Sequence, residues 1–448
     1  MKYHINSKTG DEFSKYSFLS ELEIWRFILE AKYNFLDLFA GAGGLSEGFI
    51  QAGFSPVAHV ESDPAACFTL RTRMAYHWLV SHGRIQVYND YLEGLVNRYD
   101  FYSQIPEQVY GSVINCEISK PNLKSIFQQV DALLGKKRLD LIVGGPPCQA
   151  YSIVGRSRDS NRMKGDGRNY LFEHYAEFLK RYLPSYFVFE NVTGLLSARD
   201  KDGKFYFTAM RDLFLKCGYE TEYMILSAND YGVLQSRRRV ILVGRKGKIT
   251  GFYPEPDKWN PGAEVREVFC DLPSISAGEG SVGPCRMKPY IGSWQKQCGI
   301  RNEEIPVTWH QARPNNERDL EIYRILVDLW NREKTRLNYN ALPDRLKTHR
   351  NRDSFIDRFK VVASDLPFSH TVVAHIAKDG HYYIHPDIKQ NRSITPREAA
   401  RLQTFSDDFF FESQKGTPSR CAAFRQIGNA VPVLLARKIA EKLREEWF

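Results

Sequence analysis

The sequence predicts an α/β fold: a mainly parallel sheet joined to a second, smaller domain of irregular structure. Two observations predict the sheet. Short apolar runs alternate with helix-like stretches over the first 250 or so residues, and nearly every run stops at a turn bearing glycine, proline or a reactive side chain. The second domain follows from a change of texture. Pro254, Pro256, Pro261, Pro273, Pro284, Pro289 and Pro306 punctuate a stretch without clear alternation, where strands are expected to be short and loops long.

Each element has its own warrant. Leu19, Leu22, Phe27 and Ile28 fall at helical spacing within 16–31, an amphipathic N-terminal helix. Asn34–Phe39 is an apolar run that stops at Ala40-Gly-Ala-Gly-Gly44 and opens into Leu45–Ile50, which reads as strand, glycine loop and helix. Val57–Val60 ends on Glu61 and leads into another helical pattern. Leu139–Val143 breaks at Gly144-Gly-Pro-Pro-Cys148, and Tyr186–Phe189 breaks at Glu190-Asn191. Val240–Gly244 follows the three arginines 237–239. A helix is expected again over 395–403 and a last one near 431–446. The expected organisation is an N-terminal helical extension (1–33), a catalytic domain (34–254), a second domain with its hinge (255–423), and a C-terminal helix returning to the catalytic domain (424–448).

Composition narrows the class. The chain has 448 residues, 43% apolar and 26% charged, which is ordinary globular composition and excludes a disordered chain. No apolar run approaches the ~18–20 residues that span a bilayer, and the first residues carry no signal-like stretch, so a cytoplasmic protein without a membrane partner is expected. Eight scattered cysteines form no C-x-x-C pair, which argues against a disulfide framework and a cysteine zinc site. Four histidines (370, 375, 381, 385) crowd together without metal-ligand spacing, and no metal is expected. Sixty-two Lys and Arg against 53 Asp and Glu leave a net charge of +9, which suits a polyanionic partner. Between Arg332 and Lys360, nine basic residues face four acidic ones. Spaced along a polar segment, they suit phosphate tracking, with Arg345, Lys347 and Arg350 as expected DNA contacts.

Three constellations carry chemistry. Gly41-Ala-Gly43-Gly44, between strand and helix, lets an adenosine-bearing ligand approach bare backbone, and its G-x-G-G form disfavours a dinucleotide. Glu61, about twenty residues on at the next strand end, can accept hydrogen bonds from both ribose hydroxyls. Gly145-Pro-Pro-Cys148-Gln-Ala-Tyr-Ser152 pins a cysteine on a rigid, exposed turn. Amine-directed nucleic-acid methyltransferases have an Asp/Asn-Pro-Pro-aromatic loop there, so a cysteine in the aromatic position points to covalent catalysis. A free thiol is only a few per cent thiolate at neutral pH, and nearby arginines would help it ionise.

Phe35-Leu-Asp-Leu-Phe-Ala-Gly-Ala-Gly-Gly-Leu-Ser46, Gly144-Gly-Pro-Pro-Cys-Gln-Ala-Tyr-Ser152, Glu190-Asn-Val192, Gln235-Ser-Arg-Arg-Arg-Val240, Ser393-Ile-Thr-Pro-Arg-Glu-Ala-Ala-Arg-Leu-Gln403 and Arg425-Gln-Ile-Gly-Asn-Ala-Val431 stand in the order of the DNA (cytosine-5) methyltransferase family. The chain resembles that family from about residue 34 to 440. The resemblance implies the Rossmann-like sheet of S-adenosylmethionine-dependent methyltransferases and a target-recognition domain. It implies that Cys148 attacks carbon 6 of a flipped-out cytosine, that Glu190 hydrogen-bonds ring nitrogen 3 and the exocyclic amine, and that Arg239 and Arg237 hold the base oxygen and the catalytic loop. It implies an S-adenosylmethionine site lined by Phe39, Gly41, Gly43, Gly44, Leu45, Pro146, Asn429 and Val431, with Glu61 on the ribose. Ser62 stands where many members carry an aromatic residue against the adenine. Either Glu117 or Asp90 is the acid that reads the adenine amine. Gln149 and Ser152 are expected to touch DNA. The expected partner is duplex DNA, with a restriction endonuclease of the same site alongside, and the expected state is a monomer without metal.

Overall fold

A computed structural model describes residues 33–147, 170–289 and 292–448. The helix expected over 16–31, and with it Cys148, Gln149 and Ser152, lie outside the described residues. Among the described residues, seven strands form one sheet: β1 (Asn34–Leu38), β2 (Ser55–Glu61), β3 (Val113–Asn115), β4 (Leu141–Gly144), β5 (Tyr186–Val192), β6 (Tyr219–Ser227) and β7 (Arg238–Lys246). Their order is β3-β2-β1-β4-β5-β7-β6. The first five run parallel, while β7 is antiparallel to both β5 and β6. The chain works outward from β1 to β3, then returns to the other side of β1 as β4. That reversal opens a crevice beyond the carboxyl ends of β1 and β4.

The crossover helices are α1 (Gly44–Gln51), α2 (Pro64–Ser81), α3 (Leu123–Leu134), α4 (Leu171–Tyr182) and α5 (Tyr206–Lys216). Beyond the sheet comes a long helix, α6 (Glu317–Glu333), followed by α7 (Pro396–Leu402), α8 (Arg420–Asn429) and α9 (Val433–Trp447). Strand alternation sorts the apolar residues onto two faces. Phe35, Val143, Val188, Ile241 and Val243 join a core shared with α1 and α9. Leu36, Leu38, Ile142, Phe187, Phe189 and Leu242 join a core under α3, α4 and α5. α9 lies so close on α1 that a Cβ at Gly48 would stand 2.5 Å from the Ala436 Cβ.

Ile322, Tyr323, Leu326 and Val327 form the buried face of α6 and pack in a separate core with Leu337, Tyr339, Leu346 and Phe359. The amphipathic helix begins at Asn316, whose side chain caps it by accepting from the Asp319 amide at 2.8 Å. The four clustered histidines support nearby loops. His370 Nε2 meets the Tyr382 carbonyl, His381 Nδ1 meets the Tyr323 hydroxyl, and His375 lies beside Arg358. The Asp387 amide donates to His385, whose burial pushes its pKa down to about 3.

Every residue of α7 is buried. Arg401 donates to Asp271 at 2.5 Å and to Asp407 at 2.6 Å, and Arg392 makes two 2.7 Å hydrogen bonds to Glu398. Burial raises the Asp407 carboxyl, but the Arg401 guanidinium outweighs it and leaves that group below the usual carboxylate range. Removing one partner of such a group would cost roughly 3–5 kcal/mol, because the others would be left charged and dry. Asp271, Arg392, Glu398, Arg401 and Asp407 all lie between residues 255 and 423, so this charge cluster fastens separate segments of that span to one another.

Candidate active site

A cavity of about 390 Å³ opens at the carboxyl ends of β1, β2, β4 and β5. Its floor is the turn after β1, where Phe39 and Gly41 both adopt left-handed backbone (φ 58° and 57°). The turn is pinned from β2, since Glu61 Oε2 accepts from the Gly41 amide at 2.8 Å. Glu61 Oε1 accepts from the amides of Ser62 and Asp63, both at 2.7 Å. Its carboxylate is thus oriented before any ligand arrives. Gly44 begins α1 where the chain leaving α8 crosses it, and a Cβ there would sit 2.3 Å from the Val431 carbonyl oxygen. Only glycine permits that approach, which brings Asn429 and Val431 to the glycine loop.

The second half of the cavity is built on β4 and β5. Glu190 Oε1 lies 2.7 Å from Arg239 Nε, and both side chains are mostly buried. Gly145 passes directly over the glutamate: a Cβ there would meet Glu190 Oε2 at 2.5 Å. Asn191 fastens the same loop, donating from Nδ2 to the Pro146 carbonyl at 3.1 Å while its Oδ1 accepts from the Val192 amide at 2.9 Å. The double proline and this clamp hold Gly145–Pro147 against the acid. Cys148 is the next residue in the chain.

Asp37 is the electrostatic anomaly of the cavity. It is 1% exposed, it lines the wall, and neither carboxylate oxygen has a hydrogen-bond partner among the described residues. Burial, reinforced by the nearby charge of Glu61, pushes its pKa well above the ordinary value. An orphaned buried carboxylate calls for a cation. S-adenosylmethionine has cationic groups as well as an adenosine, so Asp37, the oriented Glu61 and the bare glycine backbone fit that molecule together.

Of the residues expected at the cofactor, Phe39, Gly41, Gly44, Leu45, Glu61, Ser62, Glu117, Pro146, Asn429 and Val431 all line this cavity. Gly43 stands behind the loop, where its Cβ would meet Leu70. Asp90 is away from the lining, on the helix Ile85–Leu92, and accepts from Gln86. Glu190 and Arg239 line the cavity, but Arg237 does not. Strand β7 begins at Arg238, so Arg237 precedes the strand and turns inward, donating to the carbonyls of Val372 (2.6 Å) and Gly428 (3.2 Å). It braces two backbone segments around the site rather than facing the cavity. Arg345 is exposed and paired with Glu321 of α6. Lys347 lies largely buried, 2.8 Å from Asp344, and Arg350 is exposed.

Sequence reasoning passed over Asp37, Asn191 and Gln426. An acid inside the apolar run Asn34–Phe39 was the available signal for the first. Gln235 and Gln403 are buried connectors: Gln235 Nε2 donates to Gln403 Oε1 at 3.0 Å, and Gln403 Nε2 to the Ile427 carbonyl at 2.7 Å.

Comparison with known proteins shows the family. A family profile described as C-5 cytosine-specific DNA methylase matches residues 33–90 and 107–445. The type II methyltransferase M.Bpa9945I of Bacillus paralicheniformis is 39% identical, over 92% of this chain and 98% of its own length. The type II methyltransferase M.XorII of Xanthomonas oryzae pv. oryzae is 31% identical, over 91% and 84%. A crystal structure of a prophage-encoded E. coli protein, assigned as a DNA modification methyltransferase, shares the fold. Its TM-score is 0.58 at 22% identity, covering 93% of this chain and 99% of that one.

Proposed function

Since the chain belongs to the C-5 cytosine-specific DNA methylase family, and is thereby a DNA (cytosine-5) methyltransferase of the restriction-modification kind, we propose that its chemistry is carried by Cys148, Glu190 and Arg239. Carbon 5 of cytosine is too weak a nucleophile to be methylated directly. In this reading the Cys148 thiolate adds to carbon 6, and the electron pair released by the ring becomes available at carbon 5. Glu190 hydrogen-bonds ring nitrogen 3 and stabilises the charge that develops there. Arg239, already 2.7 Å from Glu190, orients the acid and offers its remaining donors to the base oxygen. After methylation, loss of the carbon 5 proton lets elimination expel the thiolate. The base must leave the duplex stack to reach this cavity, at a cost of a few kcal/mol.

The family uses S-adenosylmethionine, which supplies an electrophilic methyl group on a sulfonium and leaves as S-adenosylhomocysteine. In this chain Glu61 would take the ribose, Glu117 the adenine amine, Asp37 a positive charge, and Asn429 and Val431 the methionine end. The observation that carries the reading is that Glu190 and Arg239 share one cavity with Asp37 and Glu61, so base and cofactor would meet there.

The domain limits proposed are 1–33, 34–254, 255–423 and 424–448, with sequence choice in 255–392 and Gln149, Ser152, Arg345, Lys347 and Arg350 at the DNA. The protein is further proposed to act as a cytoplasmic monomer that protects DNA from an endonuclease of the same site. No helix among the described residues is long and apolar enough to cross a membrane. Bisulfite sequencing of DNA from cells expressing the protein tests the function and reports the target. Conversion-resistant cytosines at one recurring sequence are expected, and uniform conversion would refute the reading. Exchanging 255–392 with a relative's segment should change that sequence, and an active chimera that keeps the original target would refute the assignment of sequence choice.

A further inference from the structure

The family profile matches residues 33–90 and 107–445 and passes over 91–106. That span is nevertheless built into the catalytic domain. Leu92, Phe101 and Ile105 are buried with Tyr76 and Leu79 of α2, and Tyr91 stacks on Phe101 with ring centroids 4.5 Å apart. Its polar side chains reach α2, where the Tyr102 hydroxyl meets Thr72 and the Phe68 carbonyl, and the turn Glu412–Gln414 that leads into α8. The Tyr91 hydroxyl donates to Glu412 Oε1 at 2.5 Å. Arg98 donates from Nη1 to the Ser413 carbonyl at 2.6 Å and from Nη2 to the Gln414 carbonyl at 3.0 Å. Its guanidinium also lies 3.7 Å over the ring of Phe68 on α2.

The turn in turn holds a residue of the cavity wall. Gln426 Nε2 donates to the Glu412 carbonyl at 2.8 Å. Thr69 Oγ1 accepts from the Glu412 amide at 2.8 Å and donates to Gln426 Oε1 at 2.6 Å. One end of the Gln426 amide is therefore held by the Glu412 carbonyl and the other by Thr69 of α2, which also receives the Glu412 amide, and Gln426 lines the cavity next to Asn429 on the same helix. We infer that 91–106 is a positioning element of this enzyme's cofactor wall: Tyr91 and Arg98 hold the Glu412–Gln414 turn and, through it, Gln426 and the end of α8. The inference rests on the reading of the cavity as the S-adenosylmethionine site.

The physical reason is local. Residues 414–418 are exposed, and Gly416 within them has a left-handed backbone (φ 77°). Beyond the buried Glu412 and Ser413, that exposed stretch has little burial of its own to fix it, so the side-chain clamps on 412–414 help decide where α8 begins. Arg98 supplies two donors in a rigid fork, which suits two successive carbonyls better than a lysine would.

The test is calorimetric titration of the full-length protein with S-adenosylmethionine, with thermal melting and cognate-duplex binding measured in parallel. Arg98→Met keeps the stem over Phe68 and removes the donors, while Tyr91→Phe removes one hydroxyl. Each should weaken cofactor binding by about 3- to 10-fold, the worth of one or two hydrogen bonds. DNA affinity should stay within about twofold, Arg98→Lys should recover part of the loss, and the Arg98→Met effect should largely vanish in a Gln426→Ala background. If Gln426→Ala and Asp37→Asn weaken cofactor binding but Arg98→Met and Tyr91→Phe do not, the inference fails and the cavity reading stands. If all four leave it unchanged, the cavity reading itself fails. Equal losses of cofactor affinity, DNA affinity and melting temperature, additive with Gln426→Ala, would also overturn the inference and leave 91–106 a merely structural span.

Discussion

Asp37→Asn separates what the cavity does for the ligand from what it does for the fold. The substitution is nearly isosteric and removes one buried negative charge. In the free protein that carboxyl has no hydrogen-bond partner among the described residues, and its pKa is raised well above normal, first by burial and then by Glu61. A folded pKa above the unfolded one means that the group's contribution to stability is complete below the ordinary carboxylate range, near pH 4, and is lost as pH rises through the raised value. At neutral pH the free enzyme thus either carries the charge or takes up a proton, and both cost free energy that asparagine avoids. The variant should unfold about 1–3 kcal/mol less readily at neutral pH, the usual penalty of an unsatisfied buried group. The gain should shrink towards pH 4. Cofactor binding should move the other way, because a charge-assisted contact worth about 1.5–3 kcal/mol is lost, or roughly 10- to 150-fold in Kd. Wild-type binding should strengthen with rising pH and release a proton, detected by calorimetry in buffers of different ionisation enthalpy, and the variant should lose that dependence. An unchanged Kd, or a variant less stable than the parent protein, would refute the assignment of Asp37 to a ligand cation.

Other expectations follow from the same geometry. Glu190→Gln should slow single-turnover methylation roughly 10²- to 10³-fold while leaving cofactor affinity near wild type, and a full-rate variant would remove the acid from the mechanism. Gly44→Ala drives a Cβ to 2.3 Å from the Val431 carbonyl oxygen, so it should destabilise by about 1–3 kcal/mol and raise the KM for S-adenosylmethionine, read from melting curves and initial rates. Neutralising Arg345, Lys347 and Arg350 together should lower the salt slope of DNA binding by at most about 2–3, equally for cognate and unrelated duplexes. A loss confined to the cognate site would instead make them base readers.

The parts of the molecule that reveal themselves in sequence are those whose signal is local. Strands β1, β2, β4 and β5 show as apolar runs ending at glycine, proline or an acid, and β7 as an apolar run after three arginines. The ends of β1, β2, β4 and β5 hold the glycine loop, Glu61, Pro146 and Glu190. Strand β3 is three residues long, and edge strand β6 carries Glu220-Thr-Glu222 in its first half with Tyr223 and Ile225 exposed in its second, so neither reads as a buried apolar strand. Periodicity also carries no direction, and nothing in Val240–Gly244 says that β7 runs antiparallel. Arg237 and Arg239 are equivalent as sequence, yet the start of β7 at Arg238 sends one inward to backbone carbonyls and the other to Glu190. The basic surplus between Arg332 and Lys360 is reduced in space. Seven of its nine cations have a carboxylate partner among the described residues, including Glu321, Asp328, Asp365 and Asp379 from outside the stretch. Gln426 depends on segments hundreds of residues apart coming together, which no local pattern records.

The covalent role of Cys148 has the most direct test. A duplex with 5-fluorocytosine at the target position allows thiolate addition and methyl transfer, but fluorine cannot leave carbon 5 as a cation, so elimination is blocked. Incubation with S-adenosylmethionine, denaturation and peptide mapping should recover one adduct, on the peptide that contains Cys148, and only when cofactor is present. Cys148→Ala should abolish both the adduct and methylation. An adduct on any of the other seven cysteines, or methylation that persists in Cys148→Ala, would contradict it.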